Sequence, residues 1–329
     1  MDYAHELIDK RLDELEKRLT EEYSMALSEL QDKAMEYFAR FTQEDIEKQE
    51  LVKSGQLSQK DYTDWRKNRL LYSKRYDDMI NDLARKLTDV DKMAMEIVGQ
   101  SMAGTFSDAA NYTAYEIDKV INYDDVPSLR GEANFTVYNQ DAVNNLIANN
   151  PNMLPRPSVP IAKDLTWNKS KLNSAIIQGI LQGDSIPHLA DRLQLVTDMD
   201  RRAAIRNART MHTAAESAGR QHTYERADEM GIEVKREWIA THDDRTRDAH
   251  RELDGMIVGL NEPFENSIGK IMYPADPSAD PSNVYNCRCT TRAYMPKHPY
   301  HTNRYSGADY EAWKSGRLAY QRYLEGMNE

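Results

Sequence analysis

The most informative stretch of this sequence is Asp243-Asp244-Arg245-Thr246-Arg247-Asp248-Ala249-His250, together with the later segment Asn286-Cys287-Arg288-Cys289. Trp238 precedes the first segment, and Asp254-Gly255 lies between the two. Cys287 and Cys289 are the only cysteines in the chain. A Cys-x-Cys pair, a histidine and several aspartates in one region indicate either a metal site or a set of loops cross-linked by ion pairs and hydrogen bonds.

The residues around this stretch predict a small sheet with long loops. Residues 232–239 alternate between apolar and polar side chains, which is typical of a strand. Glycine and proline then punctuate the chain as far as Pro281, and Val284-Tyr285 leads into the Cys-Arg-Cys segment. Short strands joined by long loops are therefore expected after Gly231.

Long amphipathic helices are predicted before the sheet. Apolar side chains recur at helical spacing over four segments: 3–41, 58–87, 91–120 and 199–229. Ser58 and Asp61 have the spacing of a capping box, and Gly183 is an expected helix end. We expect the apolar stripe of the first helix to pack within the chain, and docking on a partner is the alternative.

These patterns predict an α+β fold that is mostly α: a long N-terminal helical hairpin or arm, then a C-terminal domain of helices and a small loop-rich β-sheet. Four prolines between Pro151 and Pro160 predict an extended linker. The predicted regions are a helical N-terminal region at 1–125, an irregular Pro-rich linker at 126–161, an α+β domain at 162–296 and a tail with a short helix at 297–329.

Composition indicates a well-solvated protein. The chain has 329 residues, a formal net charge of −11 and 40% hydrophobic residues, which is enough for a core. No apolar segment approaches the roughly 20 residues that span a bilayer, and the N-terminus does not resemble a secretory signal. Two cysteines separated by one residue do not form a disulfide framework, so a reducing cytoplasm is the simplest compartment.

The chain resembles the phage head-morphogenesis family, the minor capsid proteins of the phage Mu protein F type. The resemblance covers roughly the second half of the chain and rests on ordered motifs: Trp167, residues 178–186, Ala208-Arg209-Thr210, Asp243, Arg245, Thr246, Arg247, His250, Asp254-Gly255 and Asn286-Cys287-Arg288-Cys289. It implies a virion component that binds the portal protein inside the prohead, near the portal, and supports capsid assembly, DNA packaging or DNA delivery. Other capsid components are implied partners, and the chain is expected in the host cytoplasm during assembly.

Zinc is one interpretation of the central stretch. The candidate ligands are His250, Cys287 and Cys289, with His242 or Asp243 as less secure additions. The resemblance implies further ligands in relatives, a Cys-Pro-x-Cys pair and a His-Pro. This chain has Arg247 and Val284-Tyr285 at those places. We therefore expect no bound cofactor, and zinc at the three candidate residues is the alternative.

The preferred interpretation is a buried ion-paired structure. In it Asp243 accepts hydrogen bonds from backbone N–H groups and from the guanidinium of Arg245 or Arg247, with His250 alongside. Cys287 and Cys289 are then small buried thiols.

Enzymatic activity is the competing class. A metal-dependent hydrolase or nuclease would use Asp243, His250, Cys287 and Cys289. The sequence has no nucleophile elbow, no phosphate-binding glycine loop and no His-Glu-x-x-His motif. Binding rather than catalysis is therefore predicted. A toxin domain is not expected in this chain, because only about 30 residues follow the predicted α+β domain at 162–296.

A locally basic helix is a candidate contact for DNA or a partner protein. It carries Arg201, Arg202, Arg206 and Arg209, followed by Arg220. Acidic residues such as Asp198 and Glu216 lie at helical spacing from these arginines, which favours a solvated helix instead. The net negative charge also argues against nucleic acid as the main partner.

Overall fold

The computed structural model describes residues 2–121, 135–149, 164–296 and 307–327. Their elements follow in the order α1 (Tyr3–Ala39), α2 (Thr42–Lys53), α3 (Gln59–Leu70), α4 (Lys74–Val120), α5 (Gln140–Asn149), α6 (Leu165–Gln182), α7 (Ile186–Asp191), α8 (Leu193–Glu229), β1 (Lys235–Ile239), α9 (Asp248–Arg251), β2 (Ile257–Gly259), β3 (Phe264–Glu265), β4 (Lys270–Ile271), α10 (Pro281–Val284), β5 (Thr290–Tyr294) and α11 (Gly307–Met327). Long helices with a small antiparallel sheet confirm the predicted fold class. No helix in these ranges is long and apolar enough to cross a membrane.

Helix α1 buries the apolar stripe that its sequence predicts. Leu12, Leu19, Tyr23, Leu30 and Phe38 follow one another at steps of four, seven or eight residues, and all are buried. These steps place the side chains on one face of a helix, so burial of that face stabilises it. The stripe therefore packs within the chain, as expected, and is not a free docking surface.

The predicted division between the second and third helices is misplaced, because α3 ends at Leu70 and α4 begins at Lys74. The chain between 87 and 91 was expected to separate two helices, but α4 continues through it. That segment contains neither glycine nor proline, and the Thr88 hydroxyl donates to the Ala84 carbonyl at 2.8 Å, so nothing interrupts the helix. The predicted cap is present: the Ser58 side chain accepts from the Asp61 N–H at 3.1 Å at the start of α3.

The chain divides into two compact units, and each is built from separated segments. Unit 1 comprises 1–15, 97–158 and 206–329, and unit 2 comprises 16–96 and 159–205. The boundaries predicted from sequence cut across both units. Within the predicted irregular linker at 126–161, residues 140–149 form α5, because an apolar face including Val143 is buried there. The prolines from Pro151 to Pro160 lie outside the described residues.

Unit 1 contains the sheet. Its order is β2-β1-β5, with all pairs antiparallel, and Trp238 of β1 lies opposite Thr291 of β5. A second, two-stranded sheet pairs Phe264 of β3 with Ile271 of β4. One core cluster joins helices to the larger sheet and includes Ala114, Ile117, Phe135, Tyr224, Ile232, Val234, Ala293 and Met295.

Helices α4 and α8 make a close backbone contact in unit 1. A Cβ added to Gly219 of α8 would lie 2.4 Å from the carbonyl oxygen of Phe106 in α4. Only glycine permits so short an approach. Small residues extend this contact, since Ala103, Ala110, Ala215 and Ala218 belong to the same buried cluster as Phe106.

Unit 2 is held by buried polar contacts as well as by apolar packing. The Arg66 guanidinium is fully buried, 3.1 Å from the Asp45 carboxylate, and it donates to the Asp184 carbonyl at 2.7 Å. The Asp91 carboxylate accepts from the Tyr23 hydroxyl at 2.7 Å and from the Asn168 amide at 3.1 Å. Each of these bonds joins segments that are distant in sequence, so they fix how the helices of this unit pack.

Candidate functional site

Strand pairing brings the two halves of the sequence motif together. Ile239, the last residue of β1, lies opposite Thr290, the first residue of β5. Residues that follow β1 and residues that precede β5 therefore lie at the same edge of the sheet. The chain after β1 makes a turn, forms the single-turn helix α9 and returns beside β1, where the Gly255 N–H donates to the Trp238 carbonyl at 2.9 Å. This path places His250 against Cys287 and Cys289.

The three side chains form a compact buried cluster. The His250 Nδ1 atom lies 3.4 Å from the Cys287 Sγ atom and 3.6 Å from the Cys289 Sγ atom. The potential ligand atoms of all three residues lie within 4.8 Å of one another, and each side chain is buried. Neither cysteine forms a disulfide. The residues proposed from sequence as metal ligands are thus brought together.

Aromatic side chains and α8 hold the cluster in place. The Trp238 ring packs edge-on against both His250 and Phe264, with centroid distances of 5.4 and 5.2 Å. The Thr213 hydroxyl donates to the Cys287 carbonyl at 2.6 Å, and the Thr210 hydroxyl accepts from the Asn286 N–H at 2.9 Å. Thr210 was part of the sequence motif, but Thr213 was missed, because nothing local marks a threonine that reaches a distant carbonyl.

The two thiols have unequal acidity. The hydrogen bond between them lowers the pKa of Cys289 to about 5, and the nearby His250 imidazole lowers it further against the effect of burial. The same hydrogen bond, together with burial, raises the pKa of Cys287. One thiolate is therefore favoured beside the imidazole, which suits a site that attracts a soft cation.

The acidic turn beside the cluster differs from the prediction. Asp243 pairs with Arg288, whose guanidinium lies 2.6 Å from its carboxylate, and not with the side chain of Arg245 or Arg247. Its other donors are the Arg245 backbone N–H at 3.0 Å and the Thr246 hydroxyl at 3.1 Å. The Arg245 side chain is exposed, and the Arg247 guanidinium donates to the Tyr285 carbonyl.

The predicted buried ion-paired structure is therefore wrong in two respects. The Asp243 carboxylate is about one-third exposed, at 36%, and His250 faces the thiols instead of the carboxylate. The Arg288 hydrogen bond holds the pKa of Asp243 low, at about 2. The reason is topological: pairing of β1 with β5 brings Arg288 to Asp243, whereas Arg245 lies in the same turn and points to solvent.

Neither additional ligand candidate joins the cluster. The His242 imidazole is 76% exposed and lies 3.3 Å from the Asp254 carboxylate. Asp254 also accepts from the Ala240 N–H at 2.8 Å, which fixes the turn after β1. With Asp243 committed to Arg288, the metal-binding group among the described residues consists of His250, Cys287 and Cys289.

The arginines predicted to contact DNA or a partner lie along α8. Arg202 and Arg206 are exposed, and Arg201 forms an ion pair with Asp198 at 3.0 Å. Arg209 is half-buried. DNA contact by these residues stays a prediction.

The same helix carries charges that are not solvated. Glu216 and Arg220 were assigned to a solvated face, but both are buried in unit 1. The Glu216 carboxylate accepts from Arg220 at 3.1 Å and from the Thr290 hydroxyl at 2.6 Å, and it lies 3.0 Å from the His5 imidazole. The i, i+4 spacing of Glu216 and Arg220 fits a surface ion pair equally well, so the spacing alone does not indicate that the pair is buried.

Comparison with known proteins identifies the segment that carries this cluster. Residues 170–292 match the family described as Phage Mu protein F like protein. The minor head protein GP7 of Bacillus phage SPP1 is 25% identical over 288 residues, which cover 86% of this chain and 84% of the relative. No solved structure matches the chain.

Two further relatives share only part of their length with the chain. The NAD(+)–arginine ADP-ribosyltransferase EFV of Enterococcus faecalis is 34% identical over 157 residues, which are 46% of this chain and 31% of that protein. The uncharacterized protein YqbB of Bacillus subtilis is 28% identical over 138 residues, 37% of this chain and 44% of the relative. The chain thus spans about a third of the transferase and less than half of YqbB.

Proposed function

We propose that the chain acts as a minor structural protein of a phage head and is a member of the Phage Mu protein F like family, which matches residues 170–292, as its sequence motifs predicted. The observation that carries this proposal is the similarity to a minor head protein over 86% of the chain. That similarity includes both compact units, not only the segment with the cysteines. Association with the virion and with capsid components follows from this role.

The finer proposal is that the chain binds the portal protein inside the prohead and supports assembly, packaging or DNA delivery. Its support is the similarity to this family and to a minor head protein, together with the character of the surface. Because α1 buries its apolar stripe, that stripe is not available to a partner. Exposed side chains such as Arg202 and Arg206 are candidates for such contacts.

Catalysis through the cysteine cluster is not favoured. Cys287 and Cys289 are each only 2% exposed and lie in a core cluster with Trp238 and Phe264, so a substrate cannot reach the thiols without local opening. The nearby carboxylate of Asp243 is neutralised by Arg288. The similarity to an ADP-ribosyltransferase covers only 31% of that enzyme, so it does not assign that activity to this chain.

The portal proposal is tested with the full chain. Co-expression of the tagged chain with the portal protein of its phage, without the major capsid protein, should give a complex that co-elutes in size-exclusion chromatography. The major capsid protein expressed in place of the portal protein is the control and should not co-elute. Incorporation into proheads assembled without portal protein, with no co-elution, would overturn portal binding and leave the head-protein role intact.

The full chain is needed because the N-terminal region does not separate cleanly. Residues 1–15 and 97–120 belong to unit 1, where Ala114, Ile117 and Phe106 pack against α8 and the sheet. Deletion of residues 1–125 would therefore expose part of the core of unit 1. A truncated protein that fails to enter proheads would report misfolding and not a lost partner surface.

A further inference from the structure

The distances in the buried cluster match those of a tetrahedral zinc site. With Zn–S bonds of about 2.3 Å and Zn–N bonds of about 2.0–2.1 Å, tetrahedral angles separate the nitrogen from each sulfur by about 3.5–3.6 Å. The His250 Nδ1 atom lies 3.4 and 3.6 Å from the Cys287 and Cys289 sulfurs. An ion can therefore bind all three atoms with little movement of the backbone.

The donor set selects the kind of metal. Two thiolates and one imidazole are soft or borderline ligands, which suit zinc and disfavour magnesium and calcium. Two buried thiolates repel each other, but with a dication and a neutral imidazole the total charge of the cluster is zero. Burial of Cys287 and Cys289 then carries no unbalanced charge.

Arg247 does not block this site. A guanidinium beside the ion would repel it as a like charge. In the structure the Arg247 guanidinium donates to the Tyr285 carbonyl, so it braces the chain just before the Cys-Arg-Cys segment. The cluster needs no ligand at position 247, because His250 supplies a nitrogen three residues later.

We propose that His250, Cys287 and Cys289 bind one structural zinc ion that ties α9 to the segment preceding β5. Residues 251–286 between these points contain only short elements, β2, β3, β4 and α10. Closing such a segment with a metal adds the free energy of metal binding to the stability of the fold. This inference does not rest on the proposed function in the phage head.

The fourth coordination position is not filled by the neighbouring candidates. Asp243 is paired with Arg288, and His242 lies in solvent beside Asp254. Among the described residues no further cysteine, histidine or carboxylate joins the group. A water molecule therefore completes the tetrahedron. A water ligand is typical of catalytic zinc, but the thiols are only 2% exposed, so a substrate cannot reach this ion without local opening and its role is structural.

Metal analysis of the full chain tests the proposal. The protein, purified under reducing conditions without chelator, should contain close to one zinc ion per chain by inductively coupled plasma mass spectrometry. Cys287→Ser, Cys289→Ser and His250→Gln should each weaken zinc binding by more than about 10-fold. The matched control is His242→Gln, which removes an exposed imidazole outside the cluster and should leave the zinc content unchanged.

A second measurement keeps the test independent of how well the variants fold. Cobalt(II) added to chelator-treated wild-type protein should give the intense visible bands of tetrahedral cobalt and a thiolate-to-cobalt charge-transfer band. The charge-transfer band should weaken in each cysteine variant and remain in His242→Gln. A folded wild-type protein with little zinc and no charge-transfer band would overturn the proposal and identify a metal-free thiol–imidazole cluster.

Discussion

Replacing Arg220 by methionine is expected to lower the free energy of unfolding of unit 1 by about 3–5 kcal/mol. The Arg220 side chain is fully buried and lies 2.9 Å from the Asp2 carboxylate and 3.1 Å from the Glu216 carboxylate. Burial already raises the pKa of the adjacent Glu116 to about 8, and Arg220 opposes that shift. Without the guanidinium, the carboxyl groups of Asp2 and Glu216 would keep His5 as a nearby cation, and Glu116 would keep Arg292. Unfolding of the variant and the wild-type protein in guanidinium chloride, followed by circular dichroism, measures the loss of unfolding free energy.

Two further variants decide whether the unpaired charge causes that loss. Adding Glu216→Gln to Arg220→Met removes one uncompensated carboxylate and should recover part of the stability. Arg251→Met removes a cation from an exposed pair with Asp248, in the same unit, and should cost less than about 1 kcal/mol. Equal losses for Arg220→Met and Arg251→Met would show that the buried pair contributes no more than a surface pair.

Trp238→Ala is the second large effect, with an expected loss of about 3–5 kcal/mol. The Trp238 side chain is fully buried at the centre of the cluster that contains Leu253, Phe264, Cys287 and Cys289. Its ring also packs against His250, so truncation leaves a cavity beside the thiols. The unfolding free energy should be measured at fixed metal content, since lost zinc would add its own contribution.

The matched control for Trp238 lies on the same sheet. Ile257 of β2 is 41% exposed, and Ile257→Ala removes apolar surface without opening a buried cavity. Its expected cost is below about 1 kcal/mol, consistent with a surface substitution. Comparable losses for the two variants would mean that the cluster around Trp238 collapses around the missing ring and is not a rigid support for the site.

Local sequence patterns predicted much of the fold. The apolar spacing of α1, the Ser58 cap and the end of α6 at Gly183, where φ is +78°, each depend on residues within one or two turns. The helix break expected before Asp91 was wrong because α4 has no interrupting residue there.

The features that sequence analysis missed depend on long-range contacts. Burial of Glu216 and Arg220 requires His5 and Asp2, which come from the other end of the chain. The pairing of Asp243 with Arg288 requires β1 and β5 to be neighbours. In contrast, the grouping of His250 with the cysteines was the alternative to the preferred ion-paired interpretation, and it rested on residue type, because cysteine and histidine are the usual zinc ligands.

Quantitative mass spectrometry of purified phage heads tests most directly whether the chain is a minor head protein. The heads are assembled in cells that express the chain with the other head proteins of its phage, and are purified by density gradient. The account predicts peptides from both compact units in the heads, in far fewer copies than the major capsid protein. Complete heads that lack the chain, with the protein left free in the lysate, would contradict it.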